Sequence, residues 1–157
     1  MIDIKIALTH DITKQISDRV RRNAGAVVGK TAAQILADSK DSMTGAKHGR
    51  VYRMGNVTHQ ASAPGEAPAI DTGNLSGSGY VKRLDTLNRE VGFSAEYAPV
   101  LEGAASQFES GGLLDMAEAL GMWMAPSADE LLPRPFLRPA VEANRASFEA
   151  AMRKVAG

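Results

Sequence analysis

The chain has 157 residues, 18 basic and 18 acidic side chains, and no cysteine. This length suits one domain with a single core, and the missing cysteines exclude disulfides and thiolate metal sites, which favours a reducing compartment. A net charge of zero excludes an overall bias towards nucleic acid or acidic lipid. The start of the chain lacks the pattern of a signal peptide, and no apolar run approaches the roughly 20 residues that span a bilayer, so we expect a soluble protein without membrane contact.

The charges are unevenly distributed along the chain. Residues 1–53 contain ten Lys or Arg and five Asp or Glu, for a net charge of +5. Residues 54–133 contain three basic and eleven acidic residues, for −8, and residues 134–157 contain five and two, for +3. These complementary blocks predict ionic pairing within one molecule, the interpretation that we favour, or between neighbours in a ring.

Two elements are predicted in the first 41 residues. Apolar residues alternate with charged ones from Ile2 to Leu8, which indicates a half-buried strand. A long amphipathic helix follows, capped by Thr9 or Asp11 and running to about Ser39 or Asp41. Its apolar face has a spacing of three or four residues and consists of Ile12, Ile16, Val20, Ala24, Val27, Thr31 and Ile35. Its opposite face is basic, with Lys14, Arg21, Arg22 and Lys30.

Residues 45–79 are rich in glycine, proline and small polar side chains, which predicts a long mobile loop or arm. Within it, residues 51–58 have the pattern of an extended arm. Next come strands at 80–84 and 90–93 around a turn at 85–88, and a short helix or turn at 97–102 that Gly103 closes. The long connection 104–132 contains a predicted short helix at 113–120 and a strand at 122–124.

The segment 132–140, Leu-Pro-Arg-Pro-Phe-Leu-Arg-Pro-Ala, is here called the proline segment. Proline fixes its own φ and keeps the preceding residue out of the helical region, so this segment has a restricted shape. Pro139 suits the first position of a closing helix that runs to about Val155. We therefore predict one α+β domain over residues 1–157, with a small antiparallel sheet packed by a long N-terminal helix and a C-terminal helix, and with a long flexible loop.

The search for chemical motifs gives one catalytic hypothesis. Asp71-Thr72-Gly73 is the tripeptide that dimeric aspartic proteases use to bring two carboxylates together. The strongly apolar strand that should precede it is missing, so we favour a turn or helix start with Asp71 as N-cap. His10, His48 and His59 lie far apart at loop-like positions and lack the i, i+4 pairing or the carboxylate neighbours of a metal site, so we interpret them as solvated. We therefore predict no catalytic, metal or cofactor site.

A second alternative is a small DNA-binding module. Arg21, Arg22 and Lys30 lie near one another on the first helix and could contact phosphates. No aromatic stacking partner accompanies them, so a solvated helix face is the interpretation that we favour.

Four motifs in order resemble a known family. They are Thr72-Gly73-Asn74-Leu75, then Glu90-Val91-Gly92, then Tyr97-Ala98-Pro99-Val100-Leu101-Glu102-Gly103, then Arg134-Pro135-Phe136-Leu137-Arg138-Pro139-Ala140. Together they resemble the neck and tail-completion proteins of long-tailed double-stranded DNA phages, typified by gene product ten of the lambda-like phage Hong Kong ninety-seven. Two features depart from the family pattern: the connection 104–132 is long, and Gly103 follows Glu102 without an intervening aromatic residue.

The resemblance implies a non-enzymatic virion protein without cofactors, located in the tail or neck and present in the host cytoplasm during assembly. It implies a homo-oligomeric ring, commonly six-fold, that terminates the tail tube and contacts the tube protein and the head connector or stopper. Another neck ring, a stopper or an adaptor, is the nearest alternative. DNA would pass through the lumen without specific binding, and the acidic block 54–133 is a candidate lining, which an assembled ring with these carboxylates facing outwards would exclude.

Five residues of these motifs are candidates for assembly or architectural roles: Tyr97, Glu102, Phe136, Leu137 and Arg138. We expect Phe136, with Leu137, to act as an apolar anchor, and Arg138 to pair with a carboxylate, for which Glu102 is a candidate. Whether these side chains face their own core or a neighbouring subunit is open at this stage.

Overall fold

The computed structural model describes residues 12–103 and 132–156. The strands predicted at 2–8 and 122–124, the helix predicted at 113–120 and His10 lie outside the described residues. The elements in chain order are α1 Thr13–Met43, β1 Val51–Met54, β2 Val57–Gln60, α2 Asn74–Gly77, β3 Gly79–Arg83, β4 Arg89–Phe93, α3 Ala98–Leu101 and α4 Leu137–Ala156. The chain therefore has the predicted α+β fold.

Helix α1 is 31 residues long and packs against α4, β3 and β4. The helix ends close to the predicted position, where Thr44 adopts an extended conformation and its hydroxyl donates to the Asp41 carbonyl at 2.7 Å. Ile12 occupies the N-cap position and supplies no side-chain hydrogen bond, so the predicted cap at Thr9 or Asp11 is wrong.

The strands of the described residues form two antiparallel hairpins. β1 pairs with β2, and β3 pairs with β4, with Tyr80 opposite Gly92. The predicted turn at 85–88 is present, because the Asp85 carboxylate accepts hydrogen bonds from the main-chain N–H groups of Leu87 and Asn88 at 2.6 and 3.0 Å. Local turn chemistry thus closes the second hairpin.

The turn of the second hairpin rests directly on α1. A Cβ atom at Gly25 would lie 2.6 Å from the carbonyl oxygen of Thr86, which is closer than such atoms can approach. Glycine at this position therefore lets the turn sit against the backbone of the helix. This contact fixes the orientation of β3 and β4 relative to α1.

Residues 45–79 contain the β1–β2 hairpin and several attachments to the rest of the fold. Ser62 and Pro68 are buried. The main chain of Gly49 donates to Ala61 at 2.9 Å, and Gly65 donates to the Pro133 carbonyl at 2.9 Å. The predicted arm at 51–58 thus forms a hairpin whose base is hydrogen-bonded to the domain, and the mobility of this region stays a prediction.

Helix α4 begins at Leu137, two residues before the predicted start. Pro139 is consequently the third helical residue and still lies in the first turn, where its missing N–H breaks no intrahelical bond. Further along, the amide of Asn144 is buried and donates to the Asp38 carboxylate at 2.6 Å and to the Ala140 carbonyl at 2.9 Å. This bond joins the two long helices.

Removal of the Asn144 amide should weaken the contact between the helices. We expect Asn144→Ala to lower the free energy of unfolding by about 1–2 kcal/mol, because a hydrogen bond to a charged carboxylate is lost from a buried position. Urea denaturation measures the change. Gln34→Ala is the matched control, since Gln34 donates to the same carboxylate at 2.8 Å from an exposed position and should cost less than about 0.5 kcal/mol. Equal losses in the two variants would contradict this account.

Candidate functional site

Three of the four motifs, although far apart in sequence, contribute to one apolar cluster, and Phe93, which directly follows the motif Glu90-Val91-Gly92, also packs in it. Phe136 lies at its centre with 2% of its surface exposed. The ring of Phe93 packs edge-on against the ring of Phe136, with centroids 4.9 Å apart and planes at 89°. The buried members are Met43, Leu75, Ala95, Ala98 and Phe136, and the half-buried members are Ala67, Phe93, Tyr97, Leu101 and Leu137. Phe136 and Leu137 therefore face their own core.

The carboxylate of Glu102 binds the start of helix α4. It accepts hydrogen bonds from the main-chain N–H groups of Phe136 at 3.1 Å, Leu137 at 2.9 Å and Arg138 at 2.7 Å. A helix leaves its first N–H groups without partners inside the helix. Pro139 has no N–H, so Glu102 satisfies every donor at this helix end, and its negative charge is favourable near the helix N-terminus. We call this set of three hydrogen bonds the clasp.

The local structure on both sides places the two halves of the clasp together. Glu102 follows the short helix α3, and the chain then turns at Gly103, where φ is +106°. On the other side, the main-chain N–H of Arg134 donates to the Leu101 carbonyl at 2.7 Å. The Arg134 side chain also donates to the Ser62 carbonyl at 3.3 Å, which connects the proline segment to the base of the first hairpin.

The Arg138 side chain does not pair with Glu102. Its side chain is exposed, and among the described residues no ion pair joins its guanidinium to Glu102. The expected contact between the two residues exists, but it uses the main-chain N–H of Arg138. The choice of Glu102 as the partner of the Arg138 side chain is wrong, because the unpaired N–H groups of a helix start are closer and better directed donors than a long flexible guanidinium.

Tyr97 and the Thr72–Leu75 motif meet beside the cluster. Gly73 has φ +78° and precedes helix α2, so its left-handed conformation requires glycine. Leu75 is buried in the cluster, and the Asn74 side-chain amide donates to the Tyr97 hydroxyl at 3.4 Å. The N-cap of α2 is Gly73, and the prediction that Asp71 caps a helix is therefore wrong.

Asp71 instead contacts the first hairpin. Its carboxylate lies 3.1 Å from Nδ1 of His59 and accepts a long hydrogen bond of 3.5 Å from the Tyr52 hydroxyl. The rings of Tyr52 and His59 stack with centroids 5.7 Å apart. Burial, followed by the charge of Asp71, raises the pKa of Tyr52. These contacts hold the hairpin to the loop that precedes α2.

A second carboxylate, that of Glu66, links the chain on the two sides of the first hairpin. Glu66 accepts hydrogen bonds from the main-chain N–H of Ala63 at 2.8 Å and of His48 at 3.1 Å, and lies 2.5 Å from the His48 ring. His48 and His59 each contact one carboxylate that comes from a distant position in the sequence, a contact that the local sequence did not indicate. The Ala63 N–H, then the His48 ring and the His48 N–H, lower the pKa of Glu66 from 4.5 to about 2.

The lowered pKa of Glu66 predicts that acid weakens the contacts of this loop. A lowered pKa means that the folded state favours ionised Glu66, so its stabilising contribution is complete above about pH 4.5 and is lost as the pH falls through about 2. We expect the Glu66 carboxyl carbon to titrate with a midpoint near 2 in an NMR pH series. His48→Ala removes one of the three contacts and should raise this midpoint towards 4.5. A midpoint near 4.5 in the unchanged protein would contradict the observed contacts.

The described residues offer little catalytic chemistry. They contain no group of three or more His, Cys, Asp or Glu side chains placed to hold a metal ion, and none of their helices is long and apolar enough to cross a membrane. A recess of about 210 Å³ lies between Asp71, Thr72, Asn74 and Tyr97, but its polar groups already contact His59, Tyr52 or one another. Among the described residues, the most extensive set of contacts between the motifs is therefore the clasp together with the apolar cluster.

Comparison of the chain with models of known families, with curated proteins and with solved structures found no significant match.

Sequence reasoning identified the residues of the clasp but missed its geometry. The signal that could have revealed it is a lone carboxylate at the end of one short helix together with a helix start that has no capping side chain of its own. Neither Phe136 nor Pro135 can cap α4, so a distant acceptor was required.

Proposed function

We propose that this protein is a structural component of a long-tailed phage, a ring-forming tail-completion or tail-terminator protein that joins the tail tube to the head connector. One observation carries the proposal. Three of the four motifs that resemble the neck family, at residues 72–75, 97–103 and 134–140, come together around Phe136 and Glu102. Motifs that pack together form one structural unit. Such a unit supports the resemblance to the family more strongly than motifs scattered over the surface would.

The chemistry of the described residues agrees with a structural role. The five candidate residues hold one subunit together: Tyr97, Phe136 and Leu137 by packing, Glu102 by the clasp, and Arg138 through its main chain. Large apolar side chains remain exposed on the first hairpin, with Val51 at 59% and Val57 at 56%. Exposed apolar positions on a projecting hairpin suit contact with a neighbouring subunit.

The proposal includes the partners of such a ring. Copies of this chain would form a closed, six-fold ring in the virion neck after assembly in the host cytoplasm, with the tail tube protein on one side and the connector or stopper on the other. DNA would traverse the lumen without specific binding. The proposed protein is not an enzyme and needs no cofactor.

Electron microscopy of the purified protein, mixed separately with tail tubes and with DNA-filled heads, tests this function. We expect ring-shaped density that caps the tube end. Density only on the portal side would reject tail termination in favour of a stopper or adaptor. Absence of binding to both structures would reject a neck function altogether.

A further inference from the structure

Strand β4 has an open edge. At one end of the second hairpin, the Ser94 N–H donates to the Ser78 carbonyl at 3.1 Å, so these two residues form a hydrogen-bonded pair of the antiparallel ladder. Hydrogen-bonded pairs alternate along such a ladder, and the N–H and C=O groups of Arg89 and Val91 therefore point away from β3. Among the described residues, these groups have no hydrogen-bond partner. This edge of β4 is therefore free to pair with another strand.

An apolar groove lies beside this edge. It has a volume of about 250 Å³ and runs between β4 and the two long helices. The side chains of Arg89 and Val91 line it from β4. Its other large apolar side chains are half-buried or exposed, namely Val28, Ile35, Val141 and Phe148. Side chains of paired residues lie on the same face of a sheet, so a strand added to β4 places a side chain in the groove opposite Val91.

Two arginines make the groove cationic. Arg89 and Arg145 line it, and among the described residues its lining contains no Asp or Glu. The Arg89 guanidinium is held in place, because its Nη1 donates to the main-chain carbonyls of Asp85 and Asn88. Its Nε and Nη2 have no hydrogen-bond partner in the part of the chain that the structure describes, and the Arg145 side chain is exposed. These free donors fit a carboxylate.

The spacing on β4 defines the sequence that fits the groove. Arg89 and Val91 are two residues apart, so their side chains lie on one face of the strand. On an added antiparallel strand, the residues opposite Val91 and Arg89 are also two apart, and the one opposite Arg89 is nearer the C-terminus. The complement is therefore an apolar residue that is followed two positions later by Asp or Glu.

We propose that the edge of β4 and the groove beside it, together called the β4 groove, bind an extended segment of a partner protein with this apolar–x–acidic pattern. The segment adds to β4 as an antiparallel strand. Its main chain pairs with Val91, its apolar side chain enters the groove, and its carboxylate accepts hydrogen bonds from Arg89. This inference goes beyond the proposed function, because the β4 groove is formed within one chain and requires no ring.

Synthetic peptides test the β4 groove in the full-length chain, labelled with heavy nitrogen for NMR. The matched peptide is acetyl-Thr-Ile-Thr-Ile-Thr-Glu-Thr-amide. The control peptide, acetyl-Thr-Ile-Thr-Ile-Glu-Thr-Thr-amide, has the same composition but carries its carboxylate on the opposite face. We expect the matched peptide to shift the amide signals of Arg89 and Val91 and to bind about tenfold more tightly than the control, because only its carboxylate reaches Arg89.

Two further changes make the test specific. Arg89→Gln should remove the preference for the matched peptide, since neither peptide then meets a guanidinium at that position. In the unaltered protein, N-methylation of the second isoleucine of the matched peptide should abolish binding, because that N–H donates to the Val91 carbonyl. N-methylation of the threonine that follows it should leave binding intact, because its N–H points away from β4.

Several results would overturn the proposal. These are no binding of the matched peptide, equal affinity for the two peptides, equal effects of the two N-methyl groups, and signal shifts confined to residues away from the groove. Protection of the Arg89 and Val91 amides from hydrogen exchange in the free protein would also overturn it, because another part of the chain would then occupy the edge. Each of these results would leave the tail-tube test of the proposed function unaffected.

Discussion

Replacement of Phe136 by alanine should lower the free energy of unfolding by about 3–5 kcal/mol, the range for truncation of a buried aromatic residue. Phe136 is 2% exposed and lies at the centre of the cluster that joins three of the four motifs. The substitution removes the edge-on contact with Phe93 and leaves a cavity among Met43, Leu75 and Ala98. Since small domains have total stabilities of about 5–15 kcal/mol, this is a large share of the total.

Urea denaturation of the purified chain measures this effect. Val141→Ala is the control, because Val141 lies on the same helix, is 42% exposed, and should cost less than about 1 kcal/mol. A loss for Phe136→Ala as small as that of the control would mean that the ring is not packed in its own core.

Replacement of Glu102 by alanine should lower the free energy of unfolding by about 2–3 kcal/mol. The substitution leaves three main-chain N–H groups without their acceptor and removes a negative charge from a helix N-terminus. Glu102→Gln should have a smaller effect, since the amide keeps one oxygen that can accept a hydrogen bond. Denaturation of the three proteins under the same conditions gives the comparison.

Arg138 provides the control for the clasp. Arg138→Ala should change stability by less than about 0.5 kcal/mol, because its exposed guanidinium has no ion-pair partner among the described residues. For the same reason, Arg138→Glu should not rescue Glu102→Arg. Restoration of stability in this charge-reversed double variant would show that the two side chains pair, and the clasp would then be the wrong description of Glu102.

Local patterns in the sequence were sufficient for most of the fold. The spacing of apolar residues predicted α1 and most of α4, and the polar turn at 85–88 predicted the hairpin β3–β4. Such features are encoded by residues that are neighbours in sequence. The start of α4 was misplaced by two residues because Pro139 is compatible with more than one position in the first turn.

The contacts that sequence reasoning missed are all between distant residues. Glu102 and Leu137 are 35 positions apart, and His48 and Glu66 are 18 positions apart. The spacing of residue types along the sequence does not show which carboxylate contacts a given helix start or histidine. The choice of Glu102 as a partner of the proline segment was correct, but the atoms involved were determined by the geometry of the helix end.

The positions of Phe136 and Arg138 also show which groups belong to the interior of the subunit and which lie on its surface. Phe136 and Glu102 make their contacts within the subunit, whereas residues 12–23 of α1, much of the first hairpin and the Arg138 side chain are exposed. Contacts with other subunits should therefore depend on these outer groups. Substitutions there should affect assembly without a matching loss of stability.

Amide hydrogen exchange at Phe136, Leu137 and Arg138 tests most directly whether the clasp closes within one subunit. In dilute free protein, we expect all three N–H groups to be protected, and we expect Glu102→Ala to remove this protection while the middle of α4 keeps its own. Arg138→Ala should leave the pattern unchanged. Fast exchange at these three positions in the unaltered free protein, or protection that survives Glu102→Ala, would contradict the clasp.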